Sequence, residues 1–158
     1  MAFASREIQA RPHDVYQVLL DPRTYPRWLA GAADIRGVDD DWPRPGSRFH
    51  HRVGVGPLTI PDNTEVLAVE PDHLLRLAVR ARPFVSAVVT FRLLGEDDRC
   101  VVTFEEEPAH RLIGNLVRPV LDPITHVRNH RSLRRLAQLV ESPRPVARRH
   151  LDRSPGTS

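Results

Sequence analysis

The chain has 158 residues, 41% of them hydrophobic, which is enough for one domain with its own core. Its formal net charge of +3 comes entirely from residues 142–158, which hold four arginines and one aspartate, so the rest of the chain is balanced and predicts no nucleic-acid surface. The single cysteine, Cys100, excludes an internal disulfide and any Cys-x-x-Cys zinc or redox site.

The start of the chain predicts one strand followed by two short helices. Residues 6–9 belong to the strand, and Pro12 opens a helix with apolar residues at helical spacing. Asp21 and Pro22 then start a second helix, because aspartate caps free amide groups while proline needs no partner at the first helical position. This second helix is short, since glycines and prolines break the periodicity between residues 31 and 46.

From residue 47 the hydrophobic pattern alternates with a period of two, which predicts an antiparallel sheet with one buried face. The inner face of the second strand in this run is ambiguous, because its inward apolar positions also bring Asp62 and Thr64 inside. His51 and Glu106 are the polar exceptions on the other strands. The predicted inner faces are, strand by strand, Phe49, His51, Val53 and Val55; Leu58, Ile60, Asp62, Thr64 and Val66; Leu75, Leu77 and Val79; Val85, Ala87, Val89, Phe91 and Leu93; Cys100, Val102, Phe104 and Glu106.

The C-terminal segment predicts an amphipathic helix interrupted by proline. Because Pro119 and Pro123 do not suit a straight helix interior, we expect a kinked helix in two pieces, residues 109–118 and 123–141. One face of the second piece is apolar and turns polar towards its start, which predicts a lining for one end of a cavity; a solvent-facing first turn is the alternative. That face runs through Val140, Leu136, Leu133, Asn129, His126 and Thr125.

Residues 142–158 predict a disordered Arg/Pro-rich tail, because they hold three prolines and too few large apolar residues to offset the entropy of ordering. An electrostatic arm for an acidic partner or an anionic lipid is the alternative. No stretch reaches the ~18 apolar residues of a spanning helix, and the first residues show no signal peptide. The sequence therefore predicts a cytoplasmic protein without stable membrane insertion, as a monomer or a weak homodimer.

Seven short motifs accompany this order of elements: Val15-Tyr16, Asp21-Pro22, Tyr25-Pro26-Arg27-Trp28, Gly46-Ser47-Arg48-Phe49, Gly54-Val55-Gly56-Pro57, Asp62-Asn63-Thr64-Glu65-Val66 and Arg128-Asn129. In this order and these motifs, residues 1–141 resemble bacterial members of the SRPBCC superfamily, which includes START-type lipid carriers, the birch-pollen-allergen fold and polyketide cyclases. The resemblance implies an α+β helix-grip fold, in which a curved antiparallel sheet of about seven strands wraps around a long kinked C-terminal helix. It implies no shared catalytic motif, because members place different polar residues in the pocket.

The first functional hypothesis is a protein that binds a small hydrophobic metabolite, which could be a lipid, a polyketide or an aromatic compound, between the sheet and the last helix. It requires a cavity of roughly 300 Å³ or more. No cofactor is predicted, and no metal, because His126 and His130 have only Asp122 nearby as a third ligand. The residues expected to bind the ligand are Trp28, Phe49, His51, Asp62, Thr64, Leu77, Val89, Phe91, Phe104, Glu106, His126 and Asn129.

The alternative hypothesis is an enzyme similar to cofactor-independent polyketide aromatase/cyclases, which close a ring by aldol chemistry and remove water. The catalytic candidates are His51 and Glu106, which would move protons, while Asp62, Thr64 and Asn129 would hold carbonyl or hydroxyl oxygens. At least two of these side chains must then lie within reach of one substrate atom. A protein-interaction module that uses the tail and a sheet edge is a third alternative.

Several of these residues also have a structural interpretation. His51 can be a hydrogen-bonded core histidine, and Glu106 can be a carboxylate paired with an arginine. Trp28 and Trp42 either close the mouth of the pocket or pack under loops. The orientation of Arg128 bears on the ligand class, because an arginine that faces the pocket favours an anionic head group.

Overall fold

The computed structural model describes residues 2–30, 32, 34–55, 58–81, 85–108 and 111–142; for residues 53–55, 58–60, 81, 85 and 111–124 it describes the backbone alone. The predicted tail therefore lies almost wholly outside the described residues. The elements in chain order are β1 (Ala2–Ile8), α1 (Pro12–Leu20), a 3-10 turn (Pro22–Thr24), α2 (Tyr25–Trp28), β2 (Ile35–Val38), β3 (Arg48–Val55), β4 (Leu58–Glu70), β5 (Leu74–Ala81), β6 (Val85–Glu96), β7 (Arg99–Pro108) and α3 (Arg111–Glu141).

The seven strands form one antiparallel sheet in the order β1-β7-β6-β5-β4-β3-β2. This confirms the predicted α+β helix-grip class, with two short helices after β1 and a long helix last. β2 lies in the stretch that the sequence predicted to be a connection. It has only four residues and an irregular register between Ile35 and Gly37, so it is too short to show a period of two.

β4 contains a β-bulge, and the burial of the residues before it shows which face of the strand is the inner one. The register with β5 shifts between Val66 and Ala68, and the bulged Leu67 is 40% exposed. On the N-terminal side of the bulge, Asp62 and Thr64 share the inner face with Val66, and all three are buried. The inward alternative for these polar side chains is therefore the observed one.

α3 is one continuous helix over Arg111–Glu141, and the prediction of two separate pieces is wrong. The helical backbone runs through both Pro119 and Pro123. Each proline removes one backbone hydrogen bond at a cost of about 3 kcal/mol, but the bonds of neighbouring turns keep the residues on both sides helical. No helix in the described part of the chain is long and apolar enough to cross a membrane.

The core lies between the inner face of the sheet, α1, α2 and the C-terminal half of α3. Leu133 and Leu136 of the predicted apolar stripe on α3 are fully buried, Val140 of that stripe is half-buried, and Ala137 beside it is 1% exposed. Cys100 is also buried, and burial raises the pKa of its thiol to about 11, which keeps it protonated and unreactive near neutrality. Edge-to-face contacts join the aromatic side chains Tyr25, Trp28, Trp42, Phe49 and Phe91 into one cluster.

Candidate functional site

A cavity of about 270 Å³ lies between the inner face of the sheet and the helices. This volume is close to the minimum of roughly 300 Å³ that the binding hypothesis requires. Its described lining is mainly apolar and aromatic. The lining residues are Tyr25, Leu29, Ala30, Ala32, Ile35, Phe49, His51, Thr64, Leu77, Val79, Ala87, Val89, Phe91, Phe104, Glu106 and Arg128.

The polar side chains that line the sheet wall come from two separate places. His51 and Thr64 lie on the neighbouring strands β3 and β4, whereas Glu106 lies on β7. Because β5 and β6 run between β4 and β7, Thr64 and Glu106 lie three strand spacings apart, about 14 Å across the sheet at ~4.8 Å per strand, and His51 lies one strand farther away. The described cavity is therefore an apolar space with a small set of polar side chains at each of two sides.

At the first place, His51 is buried and hydrogen-bonded to Thr64. The distance between His51 Nε2 and Thr64 Oγ1 is 3.0 Å, and His51 is 6% exposed. Burial lowers the pKa of His51 below its ordinary value of 6.5, although nearby Asp62 opposes this shift. His51 is therefore a neutral imidazole at pH 7, and it can accept a proton inside an apolar cavity.

At the second place, Glu106 forms an ion pair with Arg128 of α3. Arg128 Nη2 donates to Glu106 Oε2, and Arg128 Nε and Nη2 lie 3.4 and 3.3 Å from Asn129 Oδ1. Asn129 Nδ2 lies 3.5 Å from the same Glu106 oxygen. Glu106 is thus the arginine-paired carboxylate of the structural interpretation, and Arg128 faces the cavity.

Four residues predicted to bind the ligand lie outside the described cavity wall. Trp28 is fully buried in the aromatic cluster, and Asp62 is buried with its carboxylate accepting a 2.8 Å hydrogen bond from the Asn63 amide. Asn129 lies behind the Glu106–Arg128 pair. His126 is exposed and its ring contacts His130, so its predicted ligand contact does not match its position.

The reason for the mismatch at His126 is the rotation of α3. Successive residues of a helix are turned by 100°. Which side chains near Asn129 face the cavity therefore depends on how α3 is rotated about its own axis against the sheet. The structure brings Arg128 to the wall, which the sequence had left open. Among the described residues, no group of three or more His, Cys, Asp or Glu side chains could hold a metal ion.

The remaining lining residues were missed for different reasons. Val79 and Ala87 were on predicted inner faces and could have been found by extending the same alternation. Ile35 lies on the unpredicted β2, and Tyr25 on α2. Trp42 does not line the cavity; its Nε1–H donates to Leu20 O at 2.7 Å, which fits packing under a loop.

A second cavity of about 450 Å³ lies between α2 and the edge strand β2. Four of its seven lining residues are exposed, so it is a groove on the surface. It has no apolar enclosure that would remove a hydrophobic ligand from water. The smaller cavity between sheet and helices is therefore the better candidate. The groove is lined by Arg23, Pro26, Asp34, Ile35, Arg36, Gly37 and Val38.

Comparison with solved structures shows the same fold in proteins of low sequence identity. Protein CV1439 from Chromobacterium violaceum is 18% identical with a TM-score of 0.67, and the match covers 90% of this chain and all of that one. The ZhuI aromatase/cyclase from Streptomyces sp. R1128 is 14% identical with a TM-score of 0.64, over 89% of this chain and 92% of that one. CalU16 from Micromonospora echinospora is 17% identical with a TM-score of 0.61, over 90% and 76%.

No curated protein matches the chain. A family model described as "Polyketide cyclase / dehydrase and lipid transport" does match, over residues 3–141. This range is nearly the whole domain expected from the sequence, and it confirms the SRPBCC resemblance. The chain belongs to the polyketide cyclase/dehydrase and lipid transport family.

Proposed function

We propose that this protein binds a small hydrophobic metabolite in the cavity between the sheet and α3. The observation that carries the proposal is the cavity itself: aromatic and aliphatic side chains form most of its described wall, and the polar groups are confined to its two sides. A ligand that fills such a space gains from leaving water at roughly 25 cal/mol per Å² of apolar surface. The few polar groups then fix its orientation.

The volume narrows the choice among a lipid, a polyketide and an aromatic compound. A cavity of about 270 Å³ lies just below the lower end of the range for small-molecule sites, which runs from roughly 300 to 1,000 Å³. This fits a compact molecule of two or three rings better than a long acyl chain. The aromatic side chains Tyr25, Phe49, Phe91 and Phe104 on the wall offer ring faces and edges to such a ligand.

A bulky side chain inside the cavity should weaken ligand binding without unfolding the protein. Ala87 lies on the wall and is 6% exposed, so the phenyl ring of Ala87→Phe would occupy the ligand's space. We expect the affinity for N-phenyl-1-naphthylamine, an uncharged fluorescent probe, to fall at least about tenfold. Fluorescence titration measures this, and native mass spectrometry of freshly purified protein tests for a co-purified ligand that is lost on denaturation.

Ala78→Phe is the matched control. Ala78 lies on the neighbouring strand β5 with the opposite parity to Leu77 and Val79, so its side chain points away from the cavity. The same substitution there should leave probe binding unchanged. Equal binding by wild type and Ala87→Phe, or a loss that Ala78→Phe shares, would contradict the proposal.

The second candidate function is a polyketide aromatase/cyclase, and the pair His51 and Thr64 favours it. Two of the five side chains that the cyclase hypothesis names, His51 and Thr64, lie in hydrogen-bond contact on one cavity wall, which supports the idea that both can reach one substrate atom. In an aldol closure, neutral His51 would remove a proton from a carbon next to a carbonyl. That carbon would then attack a second carbonyl, whose oxygen Thr64 would stabilise and which takes up a proton. Loss of water would follow.

The pH dependence of this activity follows from the pKa of His51. Only the neutral imidazole accepts a proton, so the rate on a linear poly-β-ketone should be constant near pH 7 and fall as the pH drops through a value below 6.5. His51→Gln should lower the rate about 10² to 10⁴-fold at pH 7. His50→Gln, on the outer face of β3, should not change it. Product mass measured over time decides, and an unchanged rate in His51→Gln rules out this role.

A further inference from the structure

We propose that the cavity selects an uncharged ligand that carries a hydroxyl or carbonyl group, and that Glu106 sets this selectivity by neutralising Arg128. The inference rests on the proposed binding function and adds the chemical class of the ligand. It also reverses the expectation that an arginine in the pocket favours an anion. The reversal comes from the ion pair: the sequence allowed an arginine partner for Glu106 but did not identify it as Arg128.

The charges on the described wall cancel. Glu106 and Arg128 both line the cavity, with side chains 17% and 39% exposed, and they are joined by a direct hydrogen bond. His51 is neutral at pH 7 because burial disfavours its charged form. The Tyr25 hydroxyl also stays protonated, since burial raises its pKa, and it donates to Leu19 O at 2.6 Å. The part of the wall formed by the described residues therefore contains charges but has no net charge.

An anionic ligand group would lose more than it gains in this place. A carboxylate that approached Arg128 would have to leave water and share one guanidinium with Glu106. Two carboxylates that share a site repel each other, and the low dielectric of a mainly apolar cavity strengthens this repulsion. The Glu106–Arg128 pair thus excludes anions although it contains an arginine.

The Glu106–Arg128 pair offers an uncharged ligand both a hydrogen-bond acceptor and a hydrogen-bond donor. Arg128 and Asn129 both donate to Oε2 of the Glu106 carboxylate, so Oε1 is the oxygen that we expect a ligand hydroxyl to meet. A ligand carbonyl would accept from Arg128. Both bonds would have one charged partner and would form in an apolar surrounding, where such bonds are strongest.

Two ligands with the same two-ring skeleton test the inference. 2-Naphthol is uncharged at pH 7 and 2-naphthoate is an anion, and competition with N-phenyl-1-naphthylamine measures the affinity of each. We expect wild type to bind 2-naphthol at least about tenfold more tightly than 2-naphthoate. Glu106→Gln leaves Arg128 uncompensated, so 2-naphthoate should then bind at least about tenfold more tightly than it does to wild type.

Glu105→Gln is the matched control. Glu105 is the preceding residue of β7, faces outward and lies 3.8 Å from Arg92. Glu105→Gln changes the net charge of the protein by the same amount as Glu106→Gln, but on the outer face of the sheet. It should therefore leave the ratio of the affinities for 2-naphthol and 2-naphthoate unchanged. Thermal unfolding checks that both variants fold. If Glu106→Gln does not fold, Arg128→Gln serves instead, and it should weaken 2-naphthoate further and so raise the ratio.

The outcomes separate this inference from the function on which it rests. If wild type does not bind the uncharged probe, the proposed binding function fails and this inference fails with it. If the probe binds but wild type prefers 2-naphthoate, or neither naphthalene displaces the probe, the selectivity is overturned while binding stands. A ratio that Glu106→Gln leaves unchanged, or that Glu105→Gln changes equally, overturns the role of Glu106.

Discussion

Gly95→Ala should lower the free energy of unfolding by about 3 kcal/mol or more. A Cβ at this position would lie 2.1 Å from the backbone oxygen of Arg99 and 3.0 Å from Cys100 Cα. These are backbone atoms of the facing strand, and they cannot move aside as the end of a flexible side chain could. The substitution must therefore force β6 and β7 apart where their hairpin closes. Urea unfolding followed by circular dichroism measures the loss.

Two other glycines provide controls for the same chemical change. A Cβ at Gly37 would have its nearest neighbour, a His50 side-chain atom, at 4.0 Å, so Gly37→Ala should change stability by no more than about 1 kcal/mol. Gly46 has a φ of +93° and no atom within 4 Å of the added Cβ, so Gly46→Ala isolates backbone strain and should cost about 1–2 kcal/mol. If Gly95→Ala is as stable as Gly37→Ala, the predicted clash does not exist.

Trp28→Ala should cost about 3–5 kcal/mol, because it removes the largest buried side chain of the core. Its ring packs edge to face on Tyr25 and Phe91, with centroids 5.1 and 5.8 Å away. Its Nε1–H donates to Thr24 Oγ1 at 3.1 Å, so the hydroxyl also loses a partner. Chemical unfolding gives the change in free energy.

Trp28→Phe separates the structural role of this residue from the ligand contact that the sequence predicted. It keeps an aromatic ring in place and loses mainly the indole hydrogen bond, so it should cost about 1–2 kcal/mol. Because Trp28 is not on the described cavity wall, the folded variant should bind N-phenyl-1-naphthylamine as wild type does. A large loss of binding at unchanged stability would instead place Trp28 at the site.

The sequence predicted those parts of the fold whose burial repeats with the period of the element. In β7, Cys100, Val102 and Phe104 are buried while the residues between them are not, as the alternation required. The alternation of apolar and polar residues did not show where a strand departs from a regular period of two. The bulge at Leu67 inserts one residue into β4, which no alternation count reveals, and β2 is too short to have a period.

The candidate site was predictable on the sheet and not on α3. A strand offers two faces, so the apolar neighbours of His51 and Glu106 already showed which way these side chains point. A helix can turn by any angle about its axis, so the side chain it presents depends on the surface it packs against. Arg128 and His126 illustrate this, since Arg128 reaches the wall and His126 does not. The ion pair with Glu106 thus depends on tertiary packing, so the sequence does not identify Arg128 as the partner of Glu106.

The two edges of the sheet differ in how well they could pair with a strand of another molecule. Unpaired backbone groups on an edge strand can template a strand from another molecule. At one edge α3 packs beside β1, and Glu141 near its end accepts a 2.9 Å hydrogen bond from the Gln9 amide. At the other edge β2 has four residues and an irregular register. An incoming strand therefore finds a template too short and too uneven to extend, which disfavours aggregation through this edge.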